Sequence, residues 1–152
     1  MTRVADPHFA ERVRASFAKQ HAMALIHATL PVVEAGRTEI HLPHWTGVEQ
    51  QHGFVHGGVV GMIADSAAGY AAMTTVPAEV SVLTVEYKMN LIAPADGEKL
   101  IARGQVVRAG RTLIVTQGEV FAVKDGQEKL VALMQQTIMC VTRTEKAHEQ
   151  RN

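Results

Sequence analysis

A single carboxylate, Asp65, stands inside a long apolar segment of the chain. Between Gly58 and Met73 the sequence contains no Lys, Arg or Glu, and only Asp65, Ser66 and Tyr70 carry polar side-chain groups. A segment of this composition predicts a helix that is buried on every side. Because an unpartnered carboxylate in such a place costs several kcal/mol, Asp65 indicates either a catalytic role or a hydrogen-bonded structural role.

Two glycines stand where a loop is expected to become this helix. Gly57 and Gly58 follow His56 in the stretch FVHGG. The first amides of a helix have no partner within it, and the helix dipole adds a partial positive charge at that end. The arrangement is typical of a site that binds a carbonyl oxygen or an oxyanion.

The spacing of these two features predicts an oligomer. Gly57 and Asp65 are eight residues apart, so the carboxylate lies about 12 Å along the axis from the helix start. One reacting carbon cannot contact both groups of the same chain. If both act on one atom, a second copy supplies one of them across a twofold axis. The sequence therefore predicts an obligate homodimer with two composite sites, and it leaves open whether dimers pair into a tetramer.

The elements around the central helix follow from hydrophobic periodicity. Asp6 and Pro7 form a helix-start signal, and the apolar stripe after them predicts one helix over residues 7–27. Alternation over residues 30–42 predicts one strand and then a long loop. The rest of the chain predicts further strands at 82–91, 99–108, 112–124 and 128–142, with turns between them and a polar tail at 143–152 that is expected to fray.

The strand after the central helix alternates regularly. Five apolar residues are expected on one face and four polar residues on the other: Leu83, Val85, Tyr87, Met89 and Leu91 against Thr84, Glu86, Lys88 and Asn90. Four or five antiparallel strands could curl around the central helix. The sequence thus predicts one α+β domain over residues 1–152, with an antiparallel sheet around a long central helix and an N-terminal helix.

Composition excludes several classes of partner. Lys plus Arg and Asp plus Glu both number 15, so the chain has no net charge with which to attract nucleic acid or an anionic membrane. The single cysteine, Cys140, excludes an intramolecular disulfide and fits a reducing compartment. The N-terminus lacks the apolar core of a signal peptide, and the uncharged stretch 50–64 does not suffice for a membrane span. We therefore expect a cytoplasmic protein.

One motif resembles a known family. The stretch HGGVVGMIADSAAG, with an Asp eight residues after its first glycine, resembles the hotdog-fold acyl-CoA thioesterases of the PaaI type. The segments TVEYKMNLIAPA and RAGRT are also similar to that family, so the resemblance covers about residues 47–141. It implies a hotdog fold and the hydrolysis of an acyl-CoA thioester to a free acid and coenzyme A. It implies no metal and no cofactor, since coenzyme A is part of the substrate.

The resemblance also implies roles for individual residues. The Gly57 amide would polarise the thioester carbonyl, Asp65 of the facing subunit would act as general base or nucleophile, and Thr84 would help to hold the water. Relatives commonly have Asn six residues before the HGG histidine, where this chain has Gln50. The longer side chain can donate the same hydrogen bond, but it must reach from a different backbone position.

Several other residues are candidates for substrate binding. His52, His56 and Gly58 surround the helix start, although a histidine in a tight loop is more often a hydrogen-bonding brace than a proton donor. Basic side chains could meet the phosphates of coenzyme A, and solvated surface charge is the alternative for each of them. These are Lys88, Lys99, Arg108 and Arg111, with Arg111 best placed because a turn exposes it.

Two other functions stay open at this stage. A hydratase or dehydratase of the same fold would need a histidine paired with a carboxylate, for which His56 and Asp65 are candidates. A non-catalytic module that binds acyl-CoA would keep the pocket and the helix start, but it would not need a carboxylate as base. Asp65 therefore favours the hydrolase.

Overall fold

The computed structural model describes residues 5–142 and has, within them, three α-helices, one 3-10 turn and six strands. The predicted frayed tail at 143–152 lies outside the described residues. No helix in the described part combines the length and apolar character needed to span a bilayer. The helices are α1 (Phe9–Ala18), α2 (His21–Leu25) and α3 (Gly57–Met73); the strands are β1 (Thr29–Glu34), β2 (Arg37–Pro43), β3 (Val80–Leu91), β4 (Lys99–Ala109), β5 (Leu113–Lys124) and β6 (Gln127–Thr142).

The strands form one antiparallel sheet in the order β1-β2-β4-β5-β6-β3. Helix α3 packs against five strands, β2, β4, β5, β6 and β3, and α1 lies against β1 and α3. This is the predicted α+β hotdog architecture with an N-terminal helix, which is confirmed. The sheet has one or two strands more than the four or five that the sequence suggested.

Helix α3 is buried on nearly all sides, as its composition predicts. The helix starts at Gly57, where the His56 side chain caps it by accepting a hydrogen bond from the Gly58 amide. It ends at Met73, after which the hydroxyl of Thr74 donates to the Ala71 carbonyl at 2.7 Å. Its buried residues are Val60, Gly61, Ile63, Ala64, Ala67, Ala68, Tyr70, Ala71 and Ala72. Small side chains on this helix allow the sheet to approach it closely.

The closest approach between α3 and the sheet is at Gly104. A Cβ atom on Gly104 would lie 2.3 Å from the backbone carbon and oxygen of Ala67. The hydroxyl of Thr38 donates to the same Ala67 carbonyl at 2.6 Å, which fixes the helix at this height above the sheet. If the backbone of α3 moved away from the sheet, the hydrogen bond between Thr38 and Ala67 would be lost.

We expect Gly104→Ala to lower the free energy of unfolding by about 1–3 kcal/mol, as overpacking of a core does. Gly118 faces Gly104 across the β4–β5 ladder, and a Cβ there would meet Ala64 only at 3.4 Å, an ordinary contact distance. Gly118→Ala is therefore the matched control and should change the stability much less. Denaturant unfolding of both variants measures the difference, and equal losses would contradict this account of the packing.

The predicted helix over residues 7–27 is wrong in its extent. The chain forms two helices, because Gln20 adopts an extended conformation (φ −84°, ψ 93°) between α1 and α2. Val13 and Met23 are the buried residues of the two helices. Because the chain changes direction at Gln20, each short helix places its own buried side chain in the same core. The start signal is shifted as well: Asp6 accepts from the His8 amide, and α1 begins at Phe9.

The predicted single strand over residues 30–42 is also wrong. Strands β1 and β2 form a hairpin whose turn is Ala35 and Gly36. Gly36 has a φ of 76°, which favours glycine. The alternating pattern continued across this short turn, so periodicity alone did not separate the two strands.

Strand β3 does not keep one alternation along its length. The pairing with β6 shifts between Thr84 and Glu86, so Val85 is an extra residue in β3. Thr84 pairs with Ile138 and Met89 pairs with Met134, and both partners are buried. The side of β3 that faces the helix therefore carries Val82 and Thr84 before the bulge, and Tyr87, Met89 and Leu91 after it. The prediction that Thr84 and Leu91 lie on opposite faces is wrong for this reason.

Candidate active site

Asp65 is half-buried on α3 and is held through one of its two carboxylate oxygens. The hydroxyl of Thr84 on β3 donates to Asp65 Oδ1 at 2.8 Å. The side-chain amide of Gln136 on β6 donates to the same oxygen. Among residues 5–142, Asp65 Oδ2 has no hydrogen-bond donor. The carboxylate is thus fixed on one side and free on the other.

Two of the side chains around Asp65 were missed by the sequence analysis. Gln136 and Thr116 are almost fully buried, at 1% and 0% exposure, and face each other on β6 and β5. The hydroxyl of Thr116 donates to Gln136 Oε1 at 2.9 Å. A signal was present, because Gln136 alternates with Met134 and Ile138 on an apolar strand face. A polar residue on such a face needs a buried hydrogen-bond partner.

A cavity of about 700 Å³ adjoins the carboxylate. Its walls come mainly from α1, the segment between α1 and α2, α3 and β3, and they include Ser16, Gln20, Asp65, Tyr70, Val82 and Thr84. The Tyr70 and Ser16 hydroxyls lie 3.5 Å apart. Burial raises the pKa of the Tyr70 phenol, against the opposing effect of its hydrogen bond with Ser16, so this hydroxyl is neutral at pH 7. The cavity thus combines apolar surface with neutral hydroxyl groups.

The start of α3 leaves one amide open. The Gly58 amide donates to His56 Nδ1 at 2.9 Å, and the amides of Val59 and Val60 donate to the His56 carbonyl. Within the described part of the chain, the Gly57 amide has no acceptor. Because amides near a helix start carry the positive end of the dipole, Gly57 is the one donor here that a ligand oxygen can reach.

Gln50 lies beside this open amide. Gln50 and Gly57 both line a second cavity of about 440 Å³, together with Phe54, Leu91 and Pro94. The Gln50 Oε1 atom accepts a hydrogen bond from the His52 amide. Its Nε2 group is therefore the part of the side chain left to donate to a ligand.

The predicted site residues thus fall into two groups within one chain. Asp65 and Thr84 line the larger cavity, and Gly57 and Gln50 line the smaller one. The two groups lie at separate points of α3, about 12 Å apart along its axis. A single chain does not bring the carboxylate and the open amide to one reacting atom.

The remaining predicted residues lie away from both cavities or serve the helix start. His52 is exposed and lines neither cavity. His56 caps the start of α3 and its Nδ1 atom accepts from the Gly58 amide, whereas Asp65 lies in the middle of the helix. One chain therefore does not form the histidine–carboxylate pair that a hydratase would need. The basic candidates line neither cavity; Lys88, Arg108 and Arg111 are exposed, and Lys99 is half-buried.

A long buried helix wrapped by an antiparallel sheet is the hotdog fold, and here the helix has an open amide at its start and a carboxylate in its middle. The sequence profile of the thioesterase superfamily matches residues 52–129, more than half of the chain, and the chain belongs to that family. The predicted thioester hydrolase is thereby confirmed.

Individual relatives agree with this assignment. A thioesterase family protein from Silicibacter pomeroyi is 42% identical, with a TM-score of 0.87 over 89% of this chain and 99% of that chain. The 1,4-dihydroxy-2-naphthoyl-CoA hydrolase of Listeria monocytogenes is 27% identical over 106 residues, which are 70% of this chain and 84% of that protein. The PaaI protein of E. coli has a TM-score of 0.79 at 19% identity, over 90% of this chain and 95% of that chain, and so shares the fold. The chain is a hotdog-fold member of the thioesterase superfamily, and its fold is also that of PaaI.

Proposed function

We propose that this protein hydrolyses an acyl-CoA thioester to a free acid and coenzyme A at two composite sites of a homodimer. Each site would combine Asp65 of one subunit with the Gly57 amide of the other. One observation carries the proposal. The Gly57 amide without an acceptor and the Asp65 carboxylate with one unbonded oxygen lie on the same helix but line two different cavities. Antiparallel packing of two such helices across a twofold axis would bring the two groups together twice.

The chemistry follows from the hydrogen bonds of each half. The Gly57 amide would donate to the thioester oxygen as negative charge develops there, and the Gln50 Nε2 group would be a second donor. Asp65 Oδ2, the free oxygen, would either take a proton from the attacking water or attack the carbonyl carbon itself. In both routes the coenzyme A thiol is the leaving group and Oδ1 stays hydrogen-bonded to Thr84. In the nucleophilic route the acyl group is first joined to Asp65 as an anhydride, and a water molecule then hydrolyses this anhydride to the free acid and regenerates the carboxylate.

The outer edge of the sheet supports the dimer. Strand β3 is the last strand of the sheet and has several exposed apolar side chains, Leu83, Val85, Tyr87 and Leu91, that are 62%, 48%, 49% and 55% exposed. An exposed apolar edge strand is a template for pairing with another chain. Pairing with β3 of a second copy would cover this edge. The pairing of dimers into a tetramer would need a further surface.

The acyl group is the part of the substrate that remains to be found. A relative named for the hydrolysis of 1,4-dihydroxy-2-naphthoyl-CoA makes hydroxylated aromatic thioesters the first to test. Exposed Arg111, Arg108 and Lys88 are the candidates for contacts with the phosphates of coenzyme A. A cytoplasmic location is part of the proposal, in keeping with the single cysteine.

A panel of aromatic and aliphatic acyl-CoA thioesters, with the released thiol measured, tests the proposed function. We expect catalysed release from at least one of them. Saturable binding of acyl-CoA without thiol release would instead identify a non-catalytic binding module. Formation of a double bond from a β-hydroxyacyl-CoA would identify a dehydratase.

Subunit mixing tests the composite site directly. We expect Asp65→Asn and Gly57→Pro dimers to be inactive separately and to regain activity when unfolded together and refolded. Half of a random mixture is heterodimer, and each heterodimer has one site with both lesions and one intact site, so recovery should reach roughly one quarter of the wild-type activity. A mixture of Asp65→Asn with itself is the control. No recovery, with heterodimers present by mass spectrometry, would place both groups of a site in one subunit.

A further inference from the structure

We propose that Gln136 and Thr116 are positioning residues that hold Asp65 in its reactive orientation, an inference that rests on the proposed function. Neither residue lines the cavity beside Asp65. Their effect on the reaction would pass through the two cavity residues that Gln136 contacts, Asp65 and its donor Thr84. The inference is carried by burial, by the direction of each hydrogen bond and by the one oxygen that is left free.

The two residues form a buried polar pair under the helix. Thr116 and Gln136 are opposite one another in the β5–β6 ladder and are 0% and 1% exposed. Burying a hydroxyl and a side-chain amide is unfavourable unless both are hydrogen-bonded. Here Thr116 donates to Gln136 Oε1 at 2.9 Å, and the Gln136 amide donates to Asp65 Oδ1 and to Thr84 Oγ1 at 3.2 Å. These hydrogen bonds form one continuous network that runs from Thr116 through Gln136 to Asp65 and Thr84.

The directions of these hydrogen bonds are determined by chemistry. An ionised carboxylate only accepts, so the Gln136 group against Asp65 must be the NH₂ group. Its carbonyl oxygen then faces Thr116, whose hydroxyl must donate to it. The Thr116 hydroxyl thereby selects one of the two orientations of the Gln136 amide. Without it, a rotated amide would place an oxygen against the Asp65 carboxylate.

The network selects which oxygen of Asp65 reacts. Two donors, Thr84 and Gln136, hold Oδ1, and Oδ2 is left without a partner among the described residues. When Oδ2 takes up a proton or forms a bond to carbon, Oδ1 can still accept from both donors. The support therefore need not rearrange during turnover, which is the condition for a preorganised catalytic group.

The first test uses two substitutions of Thr116. Thr116→Val removes the hydroxyl and keeps the shape, while Thr116→Ser keeps the hydroxyl. We expect Thr116→Val to lower kcat about tenfold with KM nearly unchanged, because a small misplacement of a catalytic group is costly, and we expect Thr116→Ser to keep most of the wild-type kcat. A residue with a merely structural role would change thermal stability without this split between kcat and KM.

The second test uses Gln136. We expect Gln136→Leu to lower kcat more than Thr116→Val does, by about 10- to 100-fold. Gln135→Leu is the matched control, because Gln135 is the next residue of the same strand and is exposed on the opposite face. Gln136→Glu places a second carboxyl group against Asp65. Since two adjacent carboxyl groups hold a shared proton to higher pH, the acidic limb of the pH–rate profile should move to higher pH in this variant.

A measurement without substrate separates this inference from the proposed function. The NMR signal of the Asp65 carboxyl carbon should shift in Thr116→Val and stay in place in Gln135→Leu. An unchanged signal overturns the inference, whatever the activity. The inference is also overturned if the wild type is active, Thr116→Val keeps the wild-type kcat, and Gln136→Glu keeps the wild-type pH–rate profile. A wild type inactive on every thioester, with the Asp65 signal shifted as expected, contradicts the proposed function and leaves the positioning intact.

Discussion

Asp65→Asn is expected to lower kcat at least about a hundredfold while the protein stays folded, in line with the loss of a general base. Asn has nearly the same shape, and its Oδ1 can still accept from Thr84 and Gln136. Its other end is an NH₂ group, which can neither take a proton from water nor attack a carbonyl carbon. Thiol release under saturating substrate gives kcat, and thermal unfolding with size-exclusion chromatography reports on the fold and the dimer.

Asp125→Asn is the control for this substitution. Asp125 lies in the turn between β5 and β6 with a φ of 51°, a conformation that Asn tolerates well. The same change of Asp to Asn, far from both cavities, should leave kcat unaffected. Wild-type turnover by Asp65→Asn would rule out Asp65 as base and as nucleophile.

The second large effect is expected at Gly57. Gly57→Pro removes the one open amide at the start of α3 and should lower kcat about 10²- to 10³-fold, the usual cost of a lost oxyanion donor. Proline suits the first position of a helix. The preceding residue, His56, already has the extended conformation that a following proline requires, with φ −59° and ψ 135°. Thiol release measures the loss, and circular dichroism checks the helix.

Gly57→Ala separates the amide from the added side-chain atoms. A Cβ on Gly57 meets Leu91 Cδ1 at 2.8 Å, which is the far end of a flexible side chain that can turn away. Alanine introduces this contact and keeps the N–H group, so its kcat should stay far above that of Gly57→Pro. Equal losses in the two variants would assign the effect to crowding by Leu91 and not to the amide.

The central part of the fold could be predicted from the sequence because its signals are strong and local. The apolar helix of residues 57–73, with two glycines at its start, was expected within one residue of its observed bounds. Strands β4, β5 and β6 were also expected within one residue at each end. Turns mark the ends of these strands, and β5 keeps one alternation along its whole length, while β4 and β6 each contain one extra residue, Val107 and Val131, without a change in the bounds of the strand.

The two errors in the predicted elements lie where a hydrophobic pattern continues unchanged across a break between two helices or two strands. The apolar stripe of residues 7–27 continues through Gln20, and the alternation of residues 30–42 continues through Gly36. In both places the packing of the chain onto the sheet, and not the local pattern, decides the geometry. A sequence pattern reports the side on which a residue lies, but it does not report a change in the direction of the chain.

The candidate site was predictable only in part. Asp65 stands out as a charge in an apolar helix, and the family resemblance points to Thr84, whose hydroxyl does contact it. Their catalytic roles stay predictions. Gln136 was overlooked although it interrupts an apolar strand face, because its partner Thr116 is 20 residues away in sequence. Pairing between strands brings the two together, and that register cannot be read from either strand alone.

The bulge at Val85 marks the place in β3 where the strand can lose a residue without a change in which side chains face the helix. It switches the phase of the strand, so Thr84 faces Asp65 while Met89 and Leu91, farther along, face the same helix. Substitutions along the strand alter one contact at a time. Deletion of one residue between Thr84 and Tyr87 would remove the extra residue and leave a regular ladder, on which the Thr84 hydroxyl and the apolar set still face the helix. In an alignment of functional relatives, a gap of a single residue in β3 should therefore fall between Thr84 and Tyr87 more often than elsewhere in the strand.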